Sequence, residues 1–204
     1  MSACYETLSP IGEKLALAFD VDENDIYSKL TTPELLKEYY EQNGYVVVRG
    51  CLPDDTCNQL VKGFYSEVKT YPGLLYRQTT SLMEKHQLTE SGHMINSLKH
   101  LQDYNQQKFP SFVASFLNLL TSPELVKQAT NLCQDKPIVV QTMLFEGNPS
   151  TPAHSDSYYL DSEKLGSMSA AWIALEDIHP GAGRFYVYPK SHRLNDLPKN
   201  APPL

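Results

Sequence analysis

Apolar residues recur at helical spacing through the first two-thirds of the chain. Four segments predict helices, namely residues 32–41, 56–68, 112–120 and a segment that begins at residue 122. Thr32 and Ser122 are each followed by proline, which is typical of a capped helix start. Asp54 or Asp55 can cap the second helix. The mainly helical part therefore spans residues 31–135, with one predicted strand at residues 45–49.

Strand patterns dominate the last third of the chain. Residues 137–145, 169–175 and 183–188 are rich in β-branched and aromatic residues, and Gly181 and Gly183 mark a turn between the last two segments. Residues 1–30 are of mixed polarity, with an acidic run at 20–25, which indicates a loosely ordered lead-in. We predict one α+β domain over residues 1–204, in which helices pack on one face of a mainly antiparallel sheet. The core strands of that sheet lie within residues 136–192.

Charge and composition argue against nucleic-acid and membrane partners. The chain has 17 Lys and Arg against 24 Asp and Glu, a net charge of -7, and no basic stripe, which argues against a nucleic-acid partner. No apolar run is long enough to span a bilayer and the N-terminus has no secretory signal, so we expect no membrane partner and a cytoplasmic protein. The four scattered cysteines are expected to be free thiols. Zinc ligation by Cys51 and Cys57 is the alternative, but their spacing fits no common zinc finger.

His154 and Asp156 form the most informative pattern in the chain. On a strand, residues i and i+2 point to the same face, so an imidazole and a carboxylate would lie side by side. These are two of the three ligands of the 2-His-1-carboxylate triad, which holds non-haem Fe(II) and leaves positions open for O2 and a co-substrate. A His-x-Asp sequence arises by chance in many chains, so the surrounding segments decide its meaning.

The order of those segments resembles the phytanoyl-CoA dioxygenase family of Fe(II)- and 2-oxoglutarate-dependent oxygenases. The similar segments are residues 44–49, 141–145, 154–156, 171–177 and 183–192, and together they run from near Glu34 to His192. The resemblance implies a double-stranded β-helix, or jelly roll, with helices packed outside it. It also implies Fe(II) as cofactor, 2-oxoglutarate as co-substrate, and hydroxylation of a small-molecule substrate with release of succinate and CO2.

The resemblance also assigns roles to particular residues. His154 and Asp156 match the first two metal ligands. A carboxylate at position 156 favours hydroxylation, since related halogenases have Gly or Ala there. Met143 and Trp172 match positions that line the 2-oxoglutarate pocket, although core packing is the commoner use of both residue types. Gln141 shares the predicted strand face of Met143 and could donate a hydrogen bond to the co-substrate.

Three further residues and one segment have weaker assignments. Asn96 is a looser match to a polar co-substrate contact. Tyr158 and Tyr159 follow the metal motif, and one of them could face substrate or pack across strands. Residues 71–104 form a long polar stretch that would lie over the pocket mouth as a lid. We expect its cations to lie on a solvated surface loop, and the alternative is that they favour an anionic substrate.

The chain departs from the family towards its C-terminal end. The family has a distal His ligand and an Arg that pairs with 2-oxoglutarate, but the only histidines after Asp156 are His179 and His192. We expect an incomplete jelly roll that lacks a C-terminal segment. There are three alternatives. The protein could complete its sheet by strand exchange in an oligomer, it could be a short form that holds iron poorly, or it could use His192 as ligand and Arg193 as anchor.

The competing function is a non-catalytic jelly-roll module that binds a ligand or partner chain. Zinc in a cupin-like site is disfavoured because no His-x-His pair occurs.

Overall fold

A computed structural model describes residues 4–8, 14–18, 30–147, 151, 154–163, 167–178 and 185–192. Within these residues there are four α-helices and three two-stranded antiparallel sheets. The helices are α1 (Pro33–Asn43), α2 (Asp54–Gly63), α3 (Pro110–Leu120) and α4 (Pro123–Cys133). The strands are β1 (Cys4–Leu8), β2 (Lys14–Ala18), β3 (Leu75–Tyr76), β4 (Met83–Glu84), β5 (Leu98–Lys99) and β6 (Met143–Leu144). A π-helical segment (Phe64–Val68) continues α2, and 3₁₀ turns cover Leu101–Asp103 and Asp156–Tyr158.

All four predicted helices are confirmed, and their starts follow mostly from local sequence. The side chains of Thr32 and Ser122 each accept the backbone N–H three residues further on, at 3.3 Å and 3.4 Å. The predicted cap of α2 is wrong, because Pro53 occupies the N-cap position without a side-chain hydrogen bond. Asp54 and Asp55 lie instead in the first turn of α2, where the helix dipole favours negative charge.

The core lies where α2 and its π-helical continuation pack against α3. The two helix backbones approach closely at Gly63, because a Cβ added there would lie 2.8 Å from Phe112 Cα. The short strands β3, β5 and β6 each add a leucine to the same cluster. Its buried members are Leu60, Phe64, Val68, Leu75, Met94, Leu98, Leu101, Phe109, Phe112, Val113, Phe116, Leu119 and Leu144. Full burial of such side chains contributes about 1.5–3 kcal/mol each, so this cluster is the main stabilising feature of the helical part.

Two paired strands lie within the segment that was predicted to be a loosely ordered lead-in. β1 and β2 pair antiparallel, from Cys4 opposite Ala18 to Leu8 opposite Lys14. Residues 14–18 alternate larger and smaller side chains, but a run of five residues is a weak strand signal by itself.

Most of the predicted strands are absent from the described part of the chain. Residues 45–49, 169–175 and 185–188 form no ladder, and within residues 137–145 only β6 pairs, with Leu144 opposite Leu98. Ile138, Val139 and Val140 are 81%, 52% and 60% exposed. The described residues form no jelly roll, and none of their sheets closes into a barrel. A strand pattern shows that a segment can pair, whereas a ladder also needs a partner strand placed by the tertiary fold.

The sequence also led us to expect no membrane-spanning segment, free cysteines and a turn near residue 181. No helix among the described residues has the length and apolar character needed to cross a membrane. Cys51, Cys57 and Cys133 are free thiols, as expected. The turn predicted at Gly181 and Gly183 lies outside the described residues.

Candidate functional site

His154 and Asp156 are brought together by a local turn. Ser155 between them is extended, with φ −99° and ψ 129°, and Asp156 begins the 3₁₀ turn that ends at Tyr158. His154 Nε2 lies 3.2 Å from Asp156 Oδ1. The expected proximity is confirmed, but its predicted cause is wrong. The two residues do not lie on a strand, so the turn rather than strand alternation directs the side chains toward each other.

Two tyrosine rings border this pair. Tyr159 packs edge-on against the His154 imidazole, with ring centroids 5.4 Å apart, and Tyr158 packs edge-on against Tyr159 at 5.1 Å. The side chains of His154 and Asp156 are 29% and 62% exposed, so an ion could reach them from solvent. Contact of Tyr158 or Tyr159 with substrate stays a prediction.

The donor atoms of the pair suit a divalent transition metal. Imidazole nitrogen and carboxylate oxygen bind such ions at about 2.0–2.2 Å, so two of these ligands at a right angle are about 3.0 Å apart. The observed separation of 3.2 Å is close to this value. No group of three or more His, Cys, Asp or Glu side chains among the described residues could hold a metal ion. The pair therefore fits two ligands of the predicted triad, and the described residues do not supply the third.

The predicted co-substrate residues Met143 and Gln141 lie in and next to β6. Met143 is 42% exposed and pairs across the sheet with Lys99 of β5, while Gln141 is partly buried. Cross-strand partners share a face, so the Lys99 side chain starts beside Met143. Sequence reasoning missed this neighbour, because residues 71–104 were predicted to form a lid and not a strand. A 2-oxoglutarate contact at Met143 or Gln141 stays a prediction.

The other two predicted co-substrate residues have different surroundings. Trp172 is 47% exposed and stacks on Phe185, with ring centroids 5.6 Å apart. Asn96 is buried, and its amide bonds within the protein. Its Nδ2 donates to the Lys85 carbonyl at 2.8 Å, and its Oδ1 accepts the Gln87 N–H at 2.9 Å. A co-substrate contact by Asn96 stays a prediction.

The stretch at residues 71–104 joins the packed core at both ends, while residues 79–93 between them are mostly exposed, and their role as a lid stays a prediction. It holds β3, β4 and β5, and it contributes Met94 and Leu98 to the buried cluster. Arg77 is fully buried and donates to the carbonyls of Asn96 at 3.0 Å and Glu84 at 3.1 Å. Burial lowers the pKa of Arg77, but a guanidinium remains charged in proteins. This cation therefore holds strands together and is not available to an anionic substrate.

A half-buried ion pair lies just after β6. The Glu146 carboxylate accepts hydrogen bonds from the Lys69 ammonium and, at 2.6 Å, from the Met94 N–H. Burial raises the pKa of Glu146, but the hydrogen bonds from Lys69 and Met94 outweigh it, so the pKa lies below its usual value. The pair joins the end of the π-helical segment to the strand that carries Met143.

His192, the alternative third ligand, lies at the C-terminal end of α1. Its Nε2 donates to the Glu41 carbonyl at 3.2 Å, which satisfies one of the terminal acceptors of the helix. α1 ends at Gly44, which has a φ of 78°, and a Cβ there would lie 2.2 Å from His192 Nδ1. In this position His192 uses Nε2 for the helix end and not for a metal. His179 and Arg193 lie outside the described residues.

Comparisons with known proteins agree with the resemblance. Residues 40–203 match the family model of phytanoyl-CoA dioxygenase (PhyH). The human protein named phytanoyl-CoA dioxygenase, peroxisomal, is 25% identical over 177 residues, which cover 81% of this chain and 49% of the human protein. The probable phytanoyl-CoA dioxygenase of Caenorhabditis elegans is 24% identical over 181 residues, which cover 81% of this chain and 54% of the worm protein. No solved structure matches the chain significantly.

The share of each protein that is covered decides what these matches imply for this chain. The chain spans about half the length of the two relatives, so their names describe those proteins and not this chain. The family model, in contrast, covers well over half of the chain. The chain therefore belongs to the phytanoyl-CoA dioxygenase family.

Proposed function

We propose that this chain is an Fe(II)- and 2-oxoglutarate-dependent oxygenase that hydroxylates a small molecule and releases succinate and CO2. Members of its family are generally dependent on Fe(II) and 2-oxoglutarate. The observation that carries the proposal is the approach of His154 Nε2 to Asp156 Oδ1 at 3.2 Å, within the residues that match the family. Relatives at 24–25% identity support the reaction class and leave the substrate open.

His154 and Asp156 would hold the iron. Metal binding needs the Nε2 lone pair, so the imidazole would carry its proton on Nδ1, and the Asp156 carboxylate would supply negative charge. Without an ion, the same two atoms face each other, and binding would replace that contact. Bound Fe(II) would activate O2, which is the oxidant, and 2-oxoglutarate would supply two electrons by its decarboxylation to succinate, so that one oxygen atom is left for a substrate C–H bond. Met143, Gln141 and Trp172 would line the pocket of the co-substrate.

Anaerobic titration with Fe(II) and 2-oxoglutarate tests the proposal. The chelate gives a weak visible charge-transfer band, which should appear with the wild-type chain and disappear in Asp156→Ala. Glu163→Ala is the matched control, because Glu163 is an exposed carboxylate in the same segment and should leave the band unchanged. Circular dichroism checks that each variant is folded.

Two results would count against the proposal. A band that persists in Asp156→Ala would remove Asp156 from the metal centre. A folded wild-type chain with no band would favour the competing function, in which the domain binds a ligand or partner chain without iron. Succinate formation that depends on Fe(II) and on Asp156 would extend the proposal from binding to turnover.

A further inference from the structure

Three uncharged segments carry apolar side chains that the fold leaves exposed. The segments are residues 137–141, 167–175 and 185–189, and none of them contains Asp, Glu, Lys or Arg. We call their exposed large apolar members the apolar surface, namely Ile138, Val139, Val140, Trp172, Phe185, Tyr186 and Val187. Monomeric soluble proteins rarely expose contiguous apolar patches larger than a few hundred Å², and larger patches mark interaction sites.

Contacts at both ends place the first two segments near each other. At one end, the Cys133 thiol donates to the Ser169 hydroxyl at 3.7 Å, and Cys133 ends the helix that leads into the first segment. At the other end, Tyr65 lies close to Glu146, beyond the first segment, and to Glu176, beyond the second. Burial raises the pKa of the Tyr65 phenol, and the negative charges of these two carboxylates raise it further. The two segments therefore lie in the same region of the molecule.

The second segment also contacts the third. Trp172 stacks on Phe185, with ring centroids 5.6 Å apart and ring planes at 20°. Ile173 and Leu175, in contrast, are partly buried and pack against the core cluster. The second segment is therefore held against the core by these two side chains, and it joins the first and third segments into one surface.

The exposed area of this surface is large enough for a stable interface. The seven residues of the apolar surface are 38–81% exposed. With about 150–200 Å² for a fully exposed residue, they expose roughly 600–800 Å² in each copy of the chain. Each partner of a standard protein interface contributes about 600–1,000 Å². Two copies that meet at this surface would therefore bury the area that a stable dimer needs.

The chemistry of the surface also fits a second copy of this chain. Its segments carry no charge, so two chains of net charge -7 can meet there without placing like charges in contact. Residues 138–140 have a strand pattern but form no ladder in the described part of the chain. Such a segment is a template for pairing with another chain, and the commonest homo-oligomer is a dimer with two-fold symmetry.

We propose that this chain forms a two-fold symmetric dimer through the apolar surface. Residues 137–141 of the two copies pair antiparallel, with Val139 nearest the symmetry axis. The stacked rings of Trp172 and Phe185 are buried beside this pair of strands. The dimer goes beyond the proposed oxygenase function and does not depend on it.

Sedimentation velocity of the full chain, without added iron, tests the dimer over a wide range of protein concentration. We expect a monomer–dimer equilibrium in the wild type. Val139→Lys brings two ammonium groups together near the axis and should weaken the dimer at least about tenfold. Val126→Lys is the matched control, because Val126 is 41% exposed on α4 outside the apolar surface, and it should dimerise like wild type. Circular dichroism checks that each variant is folded.

Cysteine cross-linking tests the antiparallel pairing. Residues directly opposite each other in an antiparallel pair have Cα atoms about 4.5–5.5 Å apart, which is within the range for a disulfide. Val139→Cys should therefore form a disulfide-linked dimer under mild oxidation, above the level that the native thiols give in wild type and in Val126→Cys. A Val139→Cys variant that cross-links no more than Val126→Cys would refute this pairing.

The association state of the wild-type chain decides the rest of the inference. A chain that stays monomeric at every concentration would overturn it, and the dye ANS would then show what covers the surface. Bound ANS would mean that the surface is left open for a different protein, whereas a lack of ANS binding would mean that the chain itself covers it. A dimer that is as tight in Val139→Lys as in Val126→Lys would place the interface elsewhere and overturn the inference as well.

Discussion

A long-range cap at the start of α3 allows one prediction to be worked out from the structure. Phe109 occupies the N-cap position without a side-chain hydrogen bond, and Pro110 has no N–H to donate. The Glu67 carboxylate replaces a local cap, since Oε1 accepts the Ser111 N–H at 3.0 Å and Oε2 accepts the Phe112 N–H at 2.9 Å. Glu67 belongs to the π-helical continuation of α2, so this carboxylate also joins the two helices that form the core.

Glu67→Gln should reduce the free energy of unfolding by about 1 kcal/mol at pH 7. Loss of an N-cap costs about 0.5–2 kcal/mol, and loss of negative charge at a helix N-terminus costs about 0.3–1 kcal/mol. The glutamine can still accept one of the two N–H groups, and water screens the partly exposed carboxylate. Because one hydrogen bond is kept and the charge is screened, we expect a loss near the middle of the range for an N-cap, and not the sum of the cap and charge costs.

The pH dependence of this loss follows from the pKa of Glu67. Burial raises that pKa, but hydrogen bonds from Phe112 and Ser111 outweigh it and hold the pKa below its usual value. A carboxylate whose pKa is depressed by folding contributes stability above its unfolded pKa, which is about 4.3 for Glu. That contribution is lost as the pH falls through the folded pKa. The stability difference between wild type and Glu67→Gln should therefore be complete at pH 7 and shrink below about pH 4.

Urea unfolding followed by far-UV circular dichroism measures this difference between pH 7 and pH 3. Glu90→Gln is the matched control, because Glu90 is exposed, and it should change the free energy of unfolding by less than about 0.5 kcal/mol. A Glu67→Gln variant as stable as wild type at pH 7 would refute the cap. A loss that keeps the same size at pH 3 would show that the negative charge is not its cause.

Two further substitutions test local features by the same urea assay. Gly44→Ala should cost about 1–2 kcal/mol, because Gly44 has a φ of 78° and the added Cβ would meet the His192 ring. The cost should be smaller in a His192→Ala background, and an equal cost in both backgrounds would contradict the clash. Tyr104→Phe should leave stability unchanged or raise it by up to about 1 kcal/mol, since the buried hydroxyl has no hydrogen-bond partner among the described residues. A clear loss would instead reveal a partner for that hydroxyl.

The parts of the fold that could be predicted are those encoded within a few residues. Helix α1 is capped by Thr32 and by Gly44. Both caps are local signals, since the Thr32 hydroxyl accepts the N–H three residues further on and Gly44 adopts a left-handed conformation. The same holds for the Ser122 cap of α4. The cap of α3 could not be predicted, since Glu67 lies 44 residues before Ser111 in the sequence.

Strands and site neighbours depend on partners that are distant in sequence. The apolar run at residues 138–140 carries a strand pattern, yet its side chains are exposed because no strand in the described part lies next to it. Lys99 becomes a neighbour of Met143 only through the register of β5 and β6, 44 residues apart. Alternation along residues 71–104 gave no sign of that register, so this neighbour of Met143 could not be predicted.

Separation in sequence also decides how iron binding is to be interpreted. His154 and Asp156 are only two residues apart, so an unfolded chain keeps their side chains within reach of one ion almost as well as the folded chain does. An ion held by this pair alone therefore gains little from folding, and by linkage it adds little to the stability of the folded chain. A third donor from a distant segment would be in place only after folding, and it would make binding both tighter and stabilising. The strength of iron binding, more than the presence of the two residues, therefore distinguishes an oxygenase centre from a chance His-x-Asp sequence.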